Sequence, residues 1–161
     1  MLLSNTPISF TPNTLYIILS DIGSDRQFHW EFYLHKSPPH DGHQMHLVNN
    51  ADTNHEWEYV SRATPAGTIP KDITLLVALE IASMDPVLHN ALDERLARVS
   101  IEGPVTRRVW MKRALRELDE EGFICLSGKV DEIELEAETY AVENVARGVR
   151  SVERSAFGIL G

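Results

Sequence analysis

Phe28-His29-Trp30-Glu31-Phe32-Tyr33-Leu34-His35 alternates without a break, with Phe28, Trp30, Phe32 and Leu34 at one parity and His29, Glu31, Tyr33 and His35 at the other. Successive side chains of a strand point to opposite faces, so this octad predicts a β-strand with one apolar and one polar side. The turn chemistry of Ser37-Pro38-Pro39-His40-Asp41-Gly42 follows, and His43 to Val48 reads as the hairpin partner. Upstream, Thr14 to Ser20 (TLYIILS) is a short apolar run rich in β-formers, closed by Asp21-Ile22-Gly23-Ser24-Asp25. Trp57 to Val60 and Ile73 to Ala82 supply further strands. An antiparallel sheet of four or five strands is expected.

The second half reads as helical. Asp85 caps and Pro86 opens a helix to about Val99, and Gly103-Pro104 opens another through Glu121, stopped by Gly122. Asp131 to Ala156 predicts a long helix with an acidic front (Asp131, Glu132, Glu134, Glu136, Glu138) and a basic rear (Arg147, Arg150, Arg154), as the helix dipole favours. On it Val142, Val145, Val149 and Val152 recur at helical steps, a stripe for packing on the sheet or for a homodimer seam. The expected fold class is α+β, one domain over residues 1–161, with a loose lead-in over 1–13.

A net charge of -9 repels phosphate, which argues against nucleic acid and anionic membranes as partners. No apolar run approaches the roughly 20 residues that span a bilayer, and Met1 to Pro7 carries no charge pattern of a signal peptide. A cytoplasmic protein is expected. Cys125 is the single cysteine, so no intrachain disulfide forms, and it reads as a small core residue.

Chemistry concentrates at a few places. His29, Glu31 and Tyr33 share one strand parity, which makes a proton-transfer trio if that face lines a cleft and a solvated strand face otherwise. Six of the seven histidines fall between His29 and His55. The cluster His40-Asp41-Gly42-His43-Gln44-Met45-His46 contains metal-ligand types, but its spacing matches no familiar motif, and His43 and His46 leave a strand on opposite faces. No metal and no cofactor is expected. Arg107 and Arg108 open a helix against its dipole. Either they pair with acids nearby, as Lys112 and Arg116 would with Glu117, Asp119 and Glu120, or Arg107 faces a pocket and holds an anion or polarised carbonyl. Trp30, Phe32 and Trp57 read as core or as the wall of an apolar pocket.

The His29-Trp30-Glu31-Phe32-Tyr33 strand followed by Met45-His46-Leu47 resembles the histidine strands of the lecithin retinol acyltransferase type, a circularly permuted papain-like fold. It is also similar to small fungal proteins of unknown function. These continue into a helix that starts with a cysteine and, three residues on, an aromatic. Here Arg107-Arg108-Val109-Trp110 and Met111 to Gly122 (MKRALRELDEEG) occupy that helix, so the resemblance covers roughly residues 28–124. It implies a thiolate at the helix start, a strand histidine that takes its proton and a second residue that orients the histidine. His29 and His46 map onto the histidine positions, whereas Arg107 stands in place of the nucleophile and has no lone pair to offer. The resemblance therefore implies a non-hydrolytic enzyme of isomerase or cyclase type, of the kind found in secondary metabolism. Arg107 would polarise a carbonyl while His29, with Glu31, Tyr33 and His46, moves a proton. The apolar substrate would lie against Trp30, Thr106, Arg108 and Trp110. Two alternatives remain: an inactive ligand- or partner-binding relative, and a hydrolase or acyltransferase using Thr106 or Cys125.

Overall fold

The alternating octad forms β2 (Phe28–His35) of a six-stranded sheet in a computed structural model that describes residues 8–24, 27–37, 42–65 and 67–158. β1 (Thr14–Asp21) runs antiparallel beside it, from Thr14 opposite His35 to Asp21 opposite Phe28. On the far side of β2 come β3 (Gly42–Val48) and β4 (Glu58–Thr64), each antiparallel to its neighbour. β5 (Leu75–Ser83) pairs antiparallel with β1, and β6 (Ser151–Arg154) adds to β5 in parallel. The order is β4-β3-β2-β1-β5-β6. The unbroken apolar run of β1 is explained by its central place, since both its faces are covered.

All three helices contribute to the core on one face. α1 (His89–Ala97) supplies Leu92 and Leu96, α2 (Arg107–Glu120) supplies Trp110, Met111, Leu115 and Leu118, and α3 (Val130–Arg147) supplies Ile133, Ala137 and Ala141. They pack on Leu15, Ile17, Leu19, Trp30, Phe32, Met45 and Leu47 of the sheet, the parity that the octad marks as apolar. The opposite face carries a smaller cluster, Tyr16, Ile18, Tyr33, Ile69, Leu75 and Ala78, roofed in part by Ile8, Phe10 and Val152. The rest of that face is polar. We call the two sides the helix face and the open face.

The α+β class and the three helices are as the sequence predicts, but the sheet has six strands, one of them parallel, in place of four or five antiparallel ones. The additional strand comes from the last predicted helix. Gly148 takes the left-handed conformation at φ 64, donating its N–H to the Asn144 and Val145 carbonyls, which ends α3 at Arg147 rather than near Ala156. Asn144 then locks the reversal, its buried amide donating to Leu76 O at 2.8 Å and Ser151 Oγ at 2.9 Å. The valine stripe is consequently broken: Val149 lies past the helix, Val152 packs on the open face and Val145 packs toward the main core, leaving Val142 exposed. The four valines therefore do not share one helix face.

Other boundaries shift for local reasons. Asp85 caps only a short 3-10 turn at Pro86–Leu88 before α1 begins. The second helix starts at Arg107, not Pro104, because the Thr106 side chain accepts from Val109 N and caps it. Cys125 is exposed in the loop after α2, not a core residue. The predicted His40 and Asp41 turn positions and residues 1–7 of the lead-in lie outside the described residues. Among the described residues no helix is long and apolar enough to cross a membrane.

Candidate functional site

Alternation along β2 and β3 gathers polar groups at one end of the open face. Glu31 is 3% exposed, and Gln44 Nε2 donates to both its carboxylate oxygens at 3.2 and 3.0 Å. Arg62 on β4 in turn donates to Gln44 Oε1 at 3.1 Å, which fixes the amide so that its N–H groups face the carboxylate. Two imidazoles flank the same oxygen. His29 Nε2 lies 3.7 Å and His46 Nδ1 3.2 Å from Glu31 Oε2, with ring centroids 5.4 Å apart. The His46 contact lacks hydrogen-bond alignment, so this buried nitrogen has no hydrogen-bond partner. Burial alone would raise the Glu31 pKa, but the contacts and charges of His29 and His46 outweigh it and hold the carboxyl at about 2. A cavity of about 340 Å³ opens above the group, walled also by Ser20, Asp21, Asp72 and Thr74.

Tyr33 has the same parity but belongs elsewhere. Its ring is buried in the apolar half of the open face, edge-on to Phe10, and its hydroxyl hydrogen-bonds His35 Nδ1 at 2.8 Å. The expected trio His29, Glu31 and Tyr33 is therefore divided, with His46 standing in the place foreseen for the tyrosine.

A second site lies on the helix face. Arg107, the first residue of α2, is half-buried, with its Cζ 5.2 Å from the centre of the Trp57 ring and its Nε donating to Leu47 O at 2.9 Å. No carboxylate of the described residues comes within ion-pair distance of it; burial lowers its pKa, and the charge of Glu31 on β2 opposes that only in part. Its neighbour Arg108 is satisfied differently, by Glu134 and Glu138 of α3, each at 3.3 Å. Lys112 and Arg116 pair across the same helix interface, Lys112 with Asp131 and Glu134, Arg116 with Asp131, rather than with the acids at the end of α2. A cavity of about 580 Å³ adjoins the guanidinium, bordered by Phe28, Trp30, Trp57, Thr106, Arg108 and Glu138. No family model, curated protein or solved structure matches the chain significantly.

The structure brings the predicted site residues together in two sets rather than one. Trp30, Thr106, Arg107 and Arg108 share the helix-face pocket, while His29, Glu31 and His46 share the open-face cavity. The cleft expected to hold both Arg107 and His29 is not formed. The physical reason is the strand itself: Trp30 walls the arginine pocket, so its chain neighbour His29 must face the other way. Trp110 leaves the list of pocket residues, because it is 1% exposed in the core, against Phe32 and Tyr59. Thr106 borders the pocket, yet its hydroxyl is spent on the helix cap.

Two participants, Gln44 and Arg62, escaped the sequence reading. Gln44 shares the parity of His46 and was within reach of the alternation argument. Arg62 requires the pairing of Gln44 with Arg62 across β3 and β4, which no local pattern announces. Trp57, expected in the core or in a pocket wall, meets Arg107 across fifty positions of chain, a contact that nothing near either residue signals. Metal-ligating atoms of three described residues lie close enough to act together, those of His29, Glu31 and His46.

Proposed function

We propose that the protein binds a small molecule with an aromatic-sized apolar body and a carboxylate, in the pocket between the start of α2 and the start of β2. The observation that carries this reading is the Arg107 guanidinium, withdrawn from bulk water onto an indole with a backbone carbonyl as its protein partner. A partly desolvated cation with no carboxylate in ion-pair contact is costly, and a ligand carboxylate that accepts from its remaining N–H groups offsets that cost. Stacking on Trp57 fixes the plane of the fork, which favours two-point recognition of a planar anion over a point charge. Phe28 and Trp30 supply the apolar wall, and the volume falls in the range of small-molecule pockets. Glu138, the acid at the rim, is neutralised by Arg108.

Binding without turnover needs only what this pocket holds. An isomerase or cyclase mechanism would need Arg107 and His29 on one substrate, and a hydrolytic one would need a free nucleophile where the Thr106 hydroxyl serves as a cap. The catalytically inactive, ligand-binding relative is thus the reading that the geometry favours.

Tryptophan fluorescence tests it, because a ligand beside Trp30 and Trp57 changes their emission. Naphthalene-2-carboxylate is expected to bind saturably and at least about tenfold more tightly than its primary amide, since a charge-assisted hydrogen bond contributes about 1.5–3 kcal/mol. Equal affinities for acid and amide would remove the basis of the proposal.

A further inference from the structure

We infer that His29, Glu31 and His46 on the open face form a binding site for a first-row divalent cation, separate from the helix-face pocket. Two imidazoles and one carboxylate are a donor set suited to zinc, iron, cobalt or manganese in the divalent state, with coordination positions left open for water or a ligand. The ligand atoms of all three residues lie within 4.8 Å of one another. Ligand atoms on a common ion, each at about 2.1 Å, stand roughly 3.0–3.5 Å apart. Glu31 Oε2 is already 3.2 Å from His46 Nδ1 and 3.7 Å from His29 Nε2, so closure asks for only small side-chain rotations.

The orphaned nitrogen of His46 is the observation that separates this reading from a plain buried ion pair. An ion pair would align an N–H with the carboxylate, yet His46 Nδ1 is buried beside Glu31 Oε2 without such a bond. A cation seated between them would take one donor from His46 Nδ1 and one from Glu31 Oε2. The supporting shell is that of a metal ligand as well. Gln44 holds both oxygens of Glu31 and is itself held by Arg62, which locks the carboxylate in one orientation. Asp21 and Asp72 on the cavity wall add negative charge, and Arg62 opposes it from behind the amide. His29, the most exposed of the three at 27%, marks the entry path. The set joins residues of two strands through the β2–β3 pairing, which is why the spacing of the neighbouring turn histidines gave no metal motif.

The test uses the full chain, stripped of metal by dialysis against a chelator and titrated with Co2+ by visible absorption, then with Zn2+ by calorimetry. One equivalent is expected, with cobalt d–d bands of a low-symmetry site and a rise in the unfolding temperature by mass action. Gln44→Ala should weaken the site about 10- to 100-fold, as loss of supporting partners does elsewhere, and His29→Ala and His46→Ala by more. His29→Ala is the decisive variant, since its side chain is partly exposed and its fold can be verified by circular dichroism. No stoichiometric uptake at millimolar metal, or uptake that survives in a folded His29→Ala/His46→Ala double variant, overturns the inference. Neither result touches the carboxylate pocket, which is assayed with a different probe on the other face.

Discussion

Replacing Arg107 by methionine is expected to weaken naphthalene-2-carboxylate binding by about 10- to 150-fold while leaving the affinity of the matching amide within about twofold. The size follows from losing a charge-assisted, two-point contact of about 1.5–3 kcal/mol, with every 1.4 kcal/mol a factor of ten. Methionine keeps an unbranched chain against Trp57, so the apolar part of the pocket survives and the comparison isolates the charge. Arg107→Lys should fall between the two, because an ammonium keeps the charge but loses the planar fork. Fold integrity is not at stake: the side chain is half-buried at a helix start, and cations there oppose the helix dipole. Fluorescence titration of the three proteins with acid and amide decides the matter. If Arg107→Met weakens acid and amide alike, the guanidinium contributes shape and not charge, and the carboxylate preference is wrong.

In the metal-free protein, Glu31→Gln should reshape the acid limb of the stability curve. The folded protein holds the Glu31 carboxyl at about 2, below its ordinary 4.5, so its ionised form contributes stability that is fully present above about pH 4.5. That contribution is lost as the pH falls from there through about 2, where the folded carboxyl takes up its proton. A displacement from 4.5 to about 2 corresponds to about 3 kcal/mol. Urea unfolding of the two proteins should therefore show a gap of that order at pH 5 to 6, where the wild type is the more stable, and a gap that closes toward pH 2. A gap that stays constant across this range would mean that the imidazoles do not hold the carboxylate ionised. The amide retains the shape of the side chain, so packing changes enter only weakly.

The hairpin strands were legible because their physics is local. Parity along Phe28–His35 assigned Trp30 and Phe32 to one face and His29 and Glu31 to the other, and the apolar run at Thr14 marked a strand. The parallel strand β6 was not legible, since a valine spacing that suits a helix also runs through Gly148, and the left-handed turn there is stabilised by Asn144 reaching Leu76 from a distant part of the chain. The candidate sites show the same division. The residue types and the parity that separates His29 from Trp30 are local properties of the sequence. What misplaced Arg107 beside His29 was the inherited expectation of a shared cleft, in which a helix start faces a strand histidine. The packing of Trp110 on Phe32 puts α2 over the Trp30 side of β2, and that contact is tertiary.

β2 acts as a wall between a cation on one side and a carboxylate with two imidazoles on the other. The most direct measurement is the affinity of naphthalene-2-carboxylate for His29→Ala. An unchanged value, within about twofold, is what pockets on opposite faces of the sheet require, since His29 then touches no part of the ligand. A loss of tenfold or more in a folded His29→Ala protein would place imidazole and guanidinium on the same ligand, and would contradict the two-faced arrangement outright.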